Sequence, residues 1–212
     1  MSGASHAEQL VHSTDGTAIA VQRTGSGPAL VVVTGALCDR QAFAPLDEYL
    51  AAAFTVHRYD RRGRGDSGDN AVTPPYSTQL EIDDLAAVLA AAGGPAAVFG
   101  HSSGAALALL AAAGGLPITG LVAYEPPFDV EPDPAADEFV RAVEGHVAAG
   151  RPADAASTFL AATGVPADTL RDSPWFATAV ALAHTLPYDL AAAGTSGLPR
   201  TQLARITTPS LL

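Results

Sequence analysis

Residues Gly100–Gly104 read GHSSG, with Ser102 at the centre and a glycine two residues away on either side. That spacing suits a nucleophilic serine carried on a sharp strand-to-helix turn. Gly100 and Gly104 remove the Cβ atoms that would clash in such a turn, and the turn lifts the Ser102 hydroxyl above a sheet. The chemistry would be acyl transfer, with Oγ adding to an ester-like carbonyl. The N–H of Ser103, at the helix start, would then face the oxyanion that develops. The preceding "PAAVF" supplies a strand, and Ala105, Ala106 and Ala108 let the following helix approach it closely.

A serine hydroxyl is a poor nucleophile without a base within hydrogen-bond reach. The chain offers His6, His12, His57, His101, His146 and His184. His6 and His12 fall in the N-terminal arm or first strand, His57 mid-strand and His146 in a polar helical stretch. His101 adjoins Ser102, but neighbouring side chains of such a turn point apart. His184, in "VALAHTLPYD", is the one placed to face the site from above, although a helix histidine packed on the sheet is the simpler reading.

A second glycine pattern, "GRGDSG" at Gly63–Gly68, matches the dinucleotide-binding fingerprint and follows a strand, with Glu81, Asp83 and Asp84 further on. That fingerprint works by seating pyrophosphate at the N-terminus of a helix that starts among the glycines. Here Pro74 and Pro75 forbid a helix across the residues that follow. A strand-to-helix loop is expected instead, with no nucleotide cofactor.

The elements that must position Ser102 alternate between strand and helix. "LVHS" and "TAIAVQRT" read as a hairpin about Asp15-Gly16, and "PALVVVTG" as a strand buried on both faces. "FAPLDEYLAAA" reads as a helix and "FTVHRYD" as a strand. "STQLEIDDLAAVLAAAGG" reads as a helix opened by a Thr78–Glu81 capping box and closed by Gly93-Gly94. After the elbow helix comes the strand "ITGLVAYE". Repeated βαβ units with short links imply a mostly parallel, doubly wound α/β sheet. Beyond Glu125 the chain is helical and punctuated by prolines up to about Ala193. "LPRTQLARITTPSLL" then returns to a helix and one more strand.

With 212 residues, 48% hydrophobic and 16% charged, the chain is expected to form a globular α/β domain. A net charge of −11 argues against a nucleic-acid or anionic-membrane partner. A single cysteine, Cys38, excludes an internal disulfide, and the N-terminal stretch lacks the features of a secretion signal. The expectation is a cytoplasmic protein acting on a small molecule without a metal or organic cofactor.

The combination of segments resembles the α/β-hydrolase superfamily. "LVVVTGALCD" is similar to the family's strand ending in the oxyanion turn, with Thr34 in place of the usual His, Gly35 kept, and Ala36 where a second oxyanion N–H is donated. "YDRRGRGDSG" is similar to the family's Asp-x-Arg-Gly-x-Gly-x-Ser segment, at Asp60, Arg62, Gly63, Gly65 and Ser67. The resemblance implies a hydrolase core over 1–125, an all-helical cap over 126–198 and a return to the core over 199–212. It implies an esterase, lactonase or haloperoxidase-like enzyme using Ser102, with Ala36 and Ser103 as the oxyanion hole. Some branches place the triad acid at the end of the strand after the elbow helix, which here is Glu125, followed by Pro126-Pro127. A strand-end carboxylate capping backbone N–H groups reads equally well. In the chain order Ser, acid, His the usual acid follows the strand that starts at Pro209 and the histidine one strand later, which would place both beyond Leu212 and leaves Glu125 as the alternative acid. The expectation is therefore a chain lacking a C-terminal strand pair and helix, with an exposed sheet edge at 209–212 open to self-association. The alternative expectation is a non-catalytic protein of this fold that binds a small ligand or partner. Cys38 and the cap aromatics Trp175, Phe176 and Tyr188 could line the pocket, but the simpler reading is a small buried filler for Cys38 and core positions for aromatics at helical spacing. Asp60 is expected to accept backbone N–H bonds.

Overall fold

The computed structural model describes residues 7–70, 76–165 and 171–212. His6, Pro74 and Pro75 lie outside these residues. The strands are β1 (Ala7–His12), β2 (Ala18–Gly25), β3 (Ala29–Val33), β4 (Thr55–Tyr59), β5 (Ala96–His101), β6 (Ile118–Tyr124) and β7 (Ser210–Leu211). They form one sheet in the order β1-β2-β4-β3-β5-β6-β7. β1, β2 and β4 pair antiparallel, and every pairing from β4 to β7 is parallel. This is the mostly parallel α/β sheet expected from the alternation of segments.

The centre of the sheet is covered on both faces, so its strands are continuous apolar runs rather than alternating ones. Val31, Val32 and Val33 of β3 are fully buried, each contributing roughly 1.5–3 kcal/mol of transfer free energy. Helix α2 (Thr78–Ala91) and helix α3 (Ser103–Ala113) complete this core through Leu85, Val88, Leu89, Leu107 and Ala111. α3 is apolar around its whole circumference because it is enclosed on all sides. A second cluster is built by helices α4 (Pro134–Ala148), α5 (Pro152–Ala162), α6 (Pro174–Leu182) and α7 (Leu186–Ala193). Val143, Leu160, Phe176 and Leu186 pack there with Leu37, which comes from the loop after β3.

Two local expectations differ from the structure. The helix expected over 43–53 is a 3₁₀ segment, Arg40–Leu46, followed by the single α-turn α1, Asp47–Leu50. Pro45 explains this, since it has no N–H for an α-type hydrogen bond and disfavours α backbone before it. The N-cap of α2 is Ser77, whose hydroxyl accepts from Gln79 N–H, not Thr78. Glu81 therefore does not close a capping box; it is buried and paired with Arg61. The short α8 (Arg200–Leu203) and edge strand β7 follow as anticipated.

Candidate active site

In open parallel sheets, ligands bind outside the carboxyl ends of strands where the winding reverses. After β3 the chain moves to β4 on one side, and then crosses to β5 on the other. The switch point therefore lies between β3 and β5, where the Thr34–Ala36 turn meets Ser102.

Ser102 has φ 53° and ψ −124°, strained backbone for a non-glycine residue, and it is the N-cap of α3. Its N–H donates to the Tyr124 carbonyl at 2.9 Å, and its carbonyl accepts from Ala105 and Ala106. The glycines are required by contact. A Cβ on Gly100 would lie 2.6 Å from the Gly104 carbonyl oxygen and 2.7 Å from Ala105 Cα. One on Gly104 would lie 2.4 Å from the Val33 carbonyl oxygen and 2.5 Å from that of Thr34. One on Gly35 would meet His101 Nδ1 at 2.8 Å and Ser102 Cβ at 3.0 Å. The β3 turn and the elbow thus touch backbone to backbone.

Ser103 opens α3, so its N–H has no intrahelical partner. Ala36 lies half-buried in the turn after β3, and no backbone carbonyl of the described residues accepts its N–H. Leu37, next along, is held at φ 56° with its side chain in the helical cluster.

Ser102 and Ser103 line a cavity of about 270 Å³. Its walls are mainly apolar, from Pro127, Phe139, Val140, Phe159 and Leu190, with Asp129 and Asp189 also lining it. Trp175, Phe176 and Tyr188 are not among its lining residues, and for Phe176 the core reading holds. Phe176 is core, Trp175 is exposed, and Tyr188 stacks on Tyr76 and donates to Asp69 at 2.7 Å. Phe139 and Phe159 stand in their place. Cys38 is half-buried and not among the lining residues, and burial pushes its thiol pKa up.

No described histidine ring hydrogen-bonds Ser102 Oγ. His184 is exposed, with Nδ1 at 3.0 Å from the Ala181 carbonyl and Nε2 at 2.9 Å from that of Gly63. It is not among the residues lining the cavity. His101 sits between Phe43 and Tyr124, and burial pushes its imidazole below the usual range, partly opposed by Glu125. His57 is buried within β4, His12 ends β1, and His146 lies on α4 at 3.9 Å from Asp154. Glu125 follows β6 in left-handed backbone, at φ 52°, and is exposed. It caps no backbone N–H among the described residues. Asp60 does, accepting from the Arg40 and Asp66 N–H groups and pairing with the Arg40 guanidinium. The "GRGDSG" segment is a loop tied by Gly63 N–H to the Gly68 carbonyl, and no helix starts within 63–70.

Sequence reasoning missed a buried ionic cluster beneath the site. Arg61 donates to Glu81 through Nε and Nη2, both at 2.7 Å, and through Nη1 to Asp189 Oδ1 at 2.7 Å, Ser103 Oγ at 3.0 Å and the Thr34 carbonyl at 3.1 Å. Arg64 donates to Asp189 Oδ1 at 2.7 Å and to the Gly35 carbonyl at 2.6 Å. Ser103 Oγ donates to Asp189 Oδ1 at 2.6 Å. Burial alone would raise the Asp189 pKa, but the Arg64 and Arg61 charges outweigh it and hold the carboxyl below its usual range. The one available signal was the arginine-rich "YDRRGRGD" itself, directly after an interior strand.

A left-handed serine on a strand-to-helix elbow, facing an apolar cavity at a switch point, defines an α/β-hydrolase-type site. The profile of the alpha/beta hydrolase family matches residues 30–212. The crystal structure of an alpha/beta hydrolase from Sphaerobacter thermophilus DSM 20745 is 48% identical to this chain. It superposes with a TM-score of 0.86 over 95% of this chain and 80% of that one. A pimeloyl-[acyl-carrier protein] methyl ester esterase from Stenotrophomonas maltophilia (strain R551-3) is 39% identical over 93 residues, 44% of this chain. The uncharacterized hydrolase YraK of Bacillus subtilis (strain 168) is 38% identical over 95 residues, 44% of this chain. These matches span only 34% and 35% of those two relatives' own lengths. The chain belongs to the alpha/beta hydrolase family. Among the described residues, no helix is long and apolar enough to cross a membrane.

Proposed function

We propose that the protein is a cytoplasmic serine hydrolase acting on an ester-like or lactone-like small molecule. The observation that carries this reading is Ser102 itself, held at φ 53° at the head of α3 and open to an apolar cavity. Oγ adds to the carbonyl carbon while its proton passes to a base. The oxyanion is held by the N–H groups of Ala36 and Ser103. Collapse expels the alcohol, which takes up the proton, and water then releases the acyl group as the acid. In this reading residues 126–198 act as a cap whose Phe139 and Phe159 bound the substrate, over a core made of 1–125 and 199–212.

The test is labelling with a fluorophosphonate probe followed by intact mass. One adduct is expected on the unaltered chain and none on Ser102→Ala. The lack of any described histidine against Ser102 Oγ favours a second reading, a ligand-binding protein of this fold without turnover. A folded chain that takes up no probe would mean that Ser102 sits in place with nothing to activate it, as that reading requires.

Glu125 is proposed as the acid that orients the catalytic base. Glu125→Gln should then lower kcat by about 10²–10⁴-fold, as loss of the orienting carboxylate does elsewhere, with an unaltered melting temperature. An unchanged rate would remove Glu125 from the machinery.

A further inference from the structure

We infer that Asp189 is a positioning residue which clamps both halves of the oxyanion hole to helix α7. The inference rests on the serine-hydrolase reading for its catalytic consequence, while the clamp itself stands on geometry. One carboxylate oxygen, Asp189 Oδ1, receives Ser103 Oγ at 2.6 Å, Arg61 Nη1 at 2.7 Å and Arg64 Nη2 at 2.7 Å. Ser103 carries one oxyanion N–H. The two arginines continue to the other half, Arg61 to the Thr34 carbonyl, and Arg64 to the carbonyls of Gly35 and Cys38 at 2.6 and 3.2 Å. The peptide planes whose carbonyls they hold lie on either side of Ala36, whose N–H is the second donor. Arg61 also spans both loops directly, through Ser103 Oγ at 3.0 Å and the Thr34 carbonyl, and Asp189 is the carboxylate that holds this arginine, Arg64 and Ser103 on a single oxygen.

The carboxylate comes from α7, and its side chain is only 1% exposed. It also lines the cavity beside Ser102, and its Oδ2 is buried with no partner among the described residues. A charge-assisted contact shared by three donors is stiff, and preorganised donors act on a developing oxyanion because they need not reorganise. Seating of α7 on the core therefore sets the separation of the two N–H groups. The helical layer governs the rate of the chemical step through this carboxylate, as well as shaping the cavity.

Ser103→Ala is the primary test, since Arg61 and Arg64 keep their direct pairs with Asp189 and the fold is left intact. Asp189→Asn is the second variant, keeping the side-chain size while removing the charge. In Ser103→Ala, hydrogen–deuterium exchange at 34–38 and 101–104 should quicken by about fivefold or more, with β1 and β2 unaffected. Hydrolysis of p-nitrophenyl acetate should lose about tenfold in kcat with KM nearly unchanged, and Ser103→Thr, which restores the hydroxyl, should recover most of it. Asp189→Asn should quicken exchange at the same two segments. Unaltered exchange there in Ser103→Ala overturns the clamp, and so does a loss confined to KM. If the unaltered chain takes no fluorophosphonate, the hydrolase reading fails and exchange alone still decides the clamp.

Discussion

Arg61→Met should lower the free energy of unfolding by about 3–5 kcal/mol, read as a fall in the urea midpoint at constant slope. The arginine is fully buried, and both of its terminal nitrogens and Nε donate to protein acceptors. Its loss strands Glu81, a carboxylate whose side chain is 1% exposed and which has no other hydrogen-bond partner among the described residues. Asp189 suffers less, because Arg64 remains paired with it. Most of the expected cost is therefore the uncompensated charge of Glu81 and not the loss of a favourable pair. The double variant Arg61→Met/Glu81→Met checks this, since replacing both partners of a buried pair by apolar groups is often neutral or better. It should be more stable than Arg61→Met alone. A single variant within about 1 kcal/mol of the parent would mean that water reaches Glu81.

Gly104→Ala should cost about 1–3 kcal/mol or more in stability and, under the serine-hydrolase proposal, should also depress turnover by displacing the turn at 34–36. The added Cβ would sit 2.4 and 2.5 Å from two backbone oxygens, those of Val33 and Thr34. Backbone in the middle of a parallel sheet cannot step aside as a flexible side chain would, so α3 must lift or the turn must shift. Either movement separates the Ser103 and Ala36 N–H groups. Gly145→Ala in α4 is the matched control, because its Cβ would meet nothing within 4 Å. That change should stabilise by about 0.5–1 kcal/mol through ordinary helix propensity. Equal effects at the two positions would show that close packing at the elbow is not what Gly104 provides.

How much could be read beforehand depended on how local each signal is. The sharp strand-to-helix turn at Ser102 was legible because such a turn needs its glycines within two residues of the serine. The strands were legible because burial on both faces leaves unbroken apolar runs such as "LVVV". Glu81 was misread for the same reason, since its position three residues after Thr78 suggested a local cap while its partner lies 20 residues back at Arg61. Asp189 gave no signal at all. Its bond to Ser103 crosses 86 residues of sequence, and no periodicity connects α7 to the elbow. The 3₁₀ turn replaced an expected helix because one proline, Pro45, outweighed the spacing of Phe43, Leu46 and Leu50. The cavity aromatics Phe139 and Phe159 stand on helices whose order in space only tertiary packing decides.

Three non-glycine residues with left-handed backbone were described above: Leu37, Ser102 and Glu125. They follow β3, β5 and β6, which are neighbours in the sheet, so they stand in a row along one rim. Conformations of this sort cost on the order of 1–3 kcal/mol each, and glycine would adopt them freely. Drift under selection for robustness alone would therefore turn Ser102 and Glu125 to glycine, whereas Leu37 would stay, because its side chain is packed in the helical cluster and its loss would cost more than the relieved strain returns. A descendant that kept the fold but abandoned the chemistry would be recognisable by that exchange, well before its core had changed.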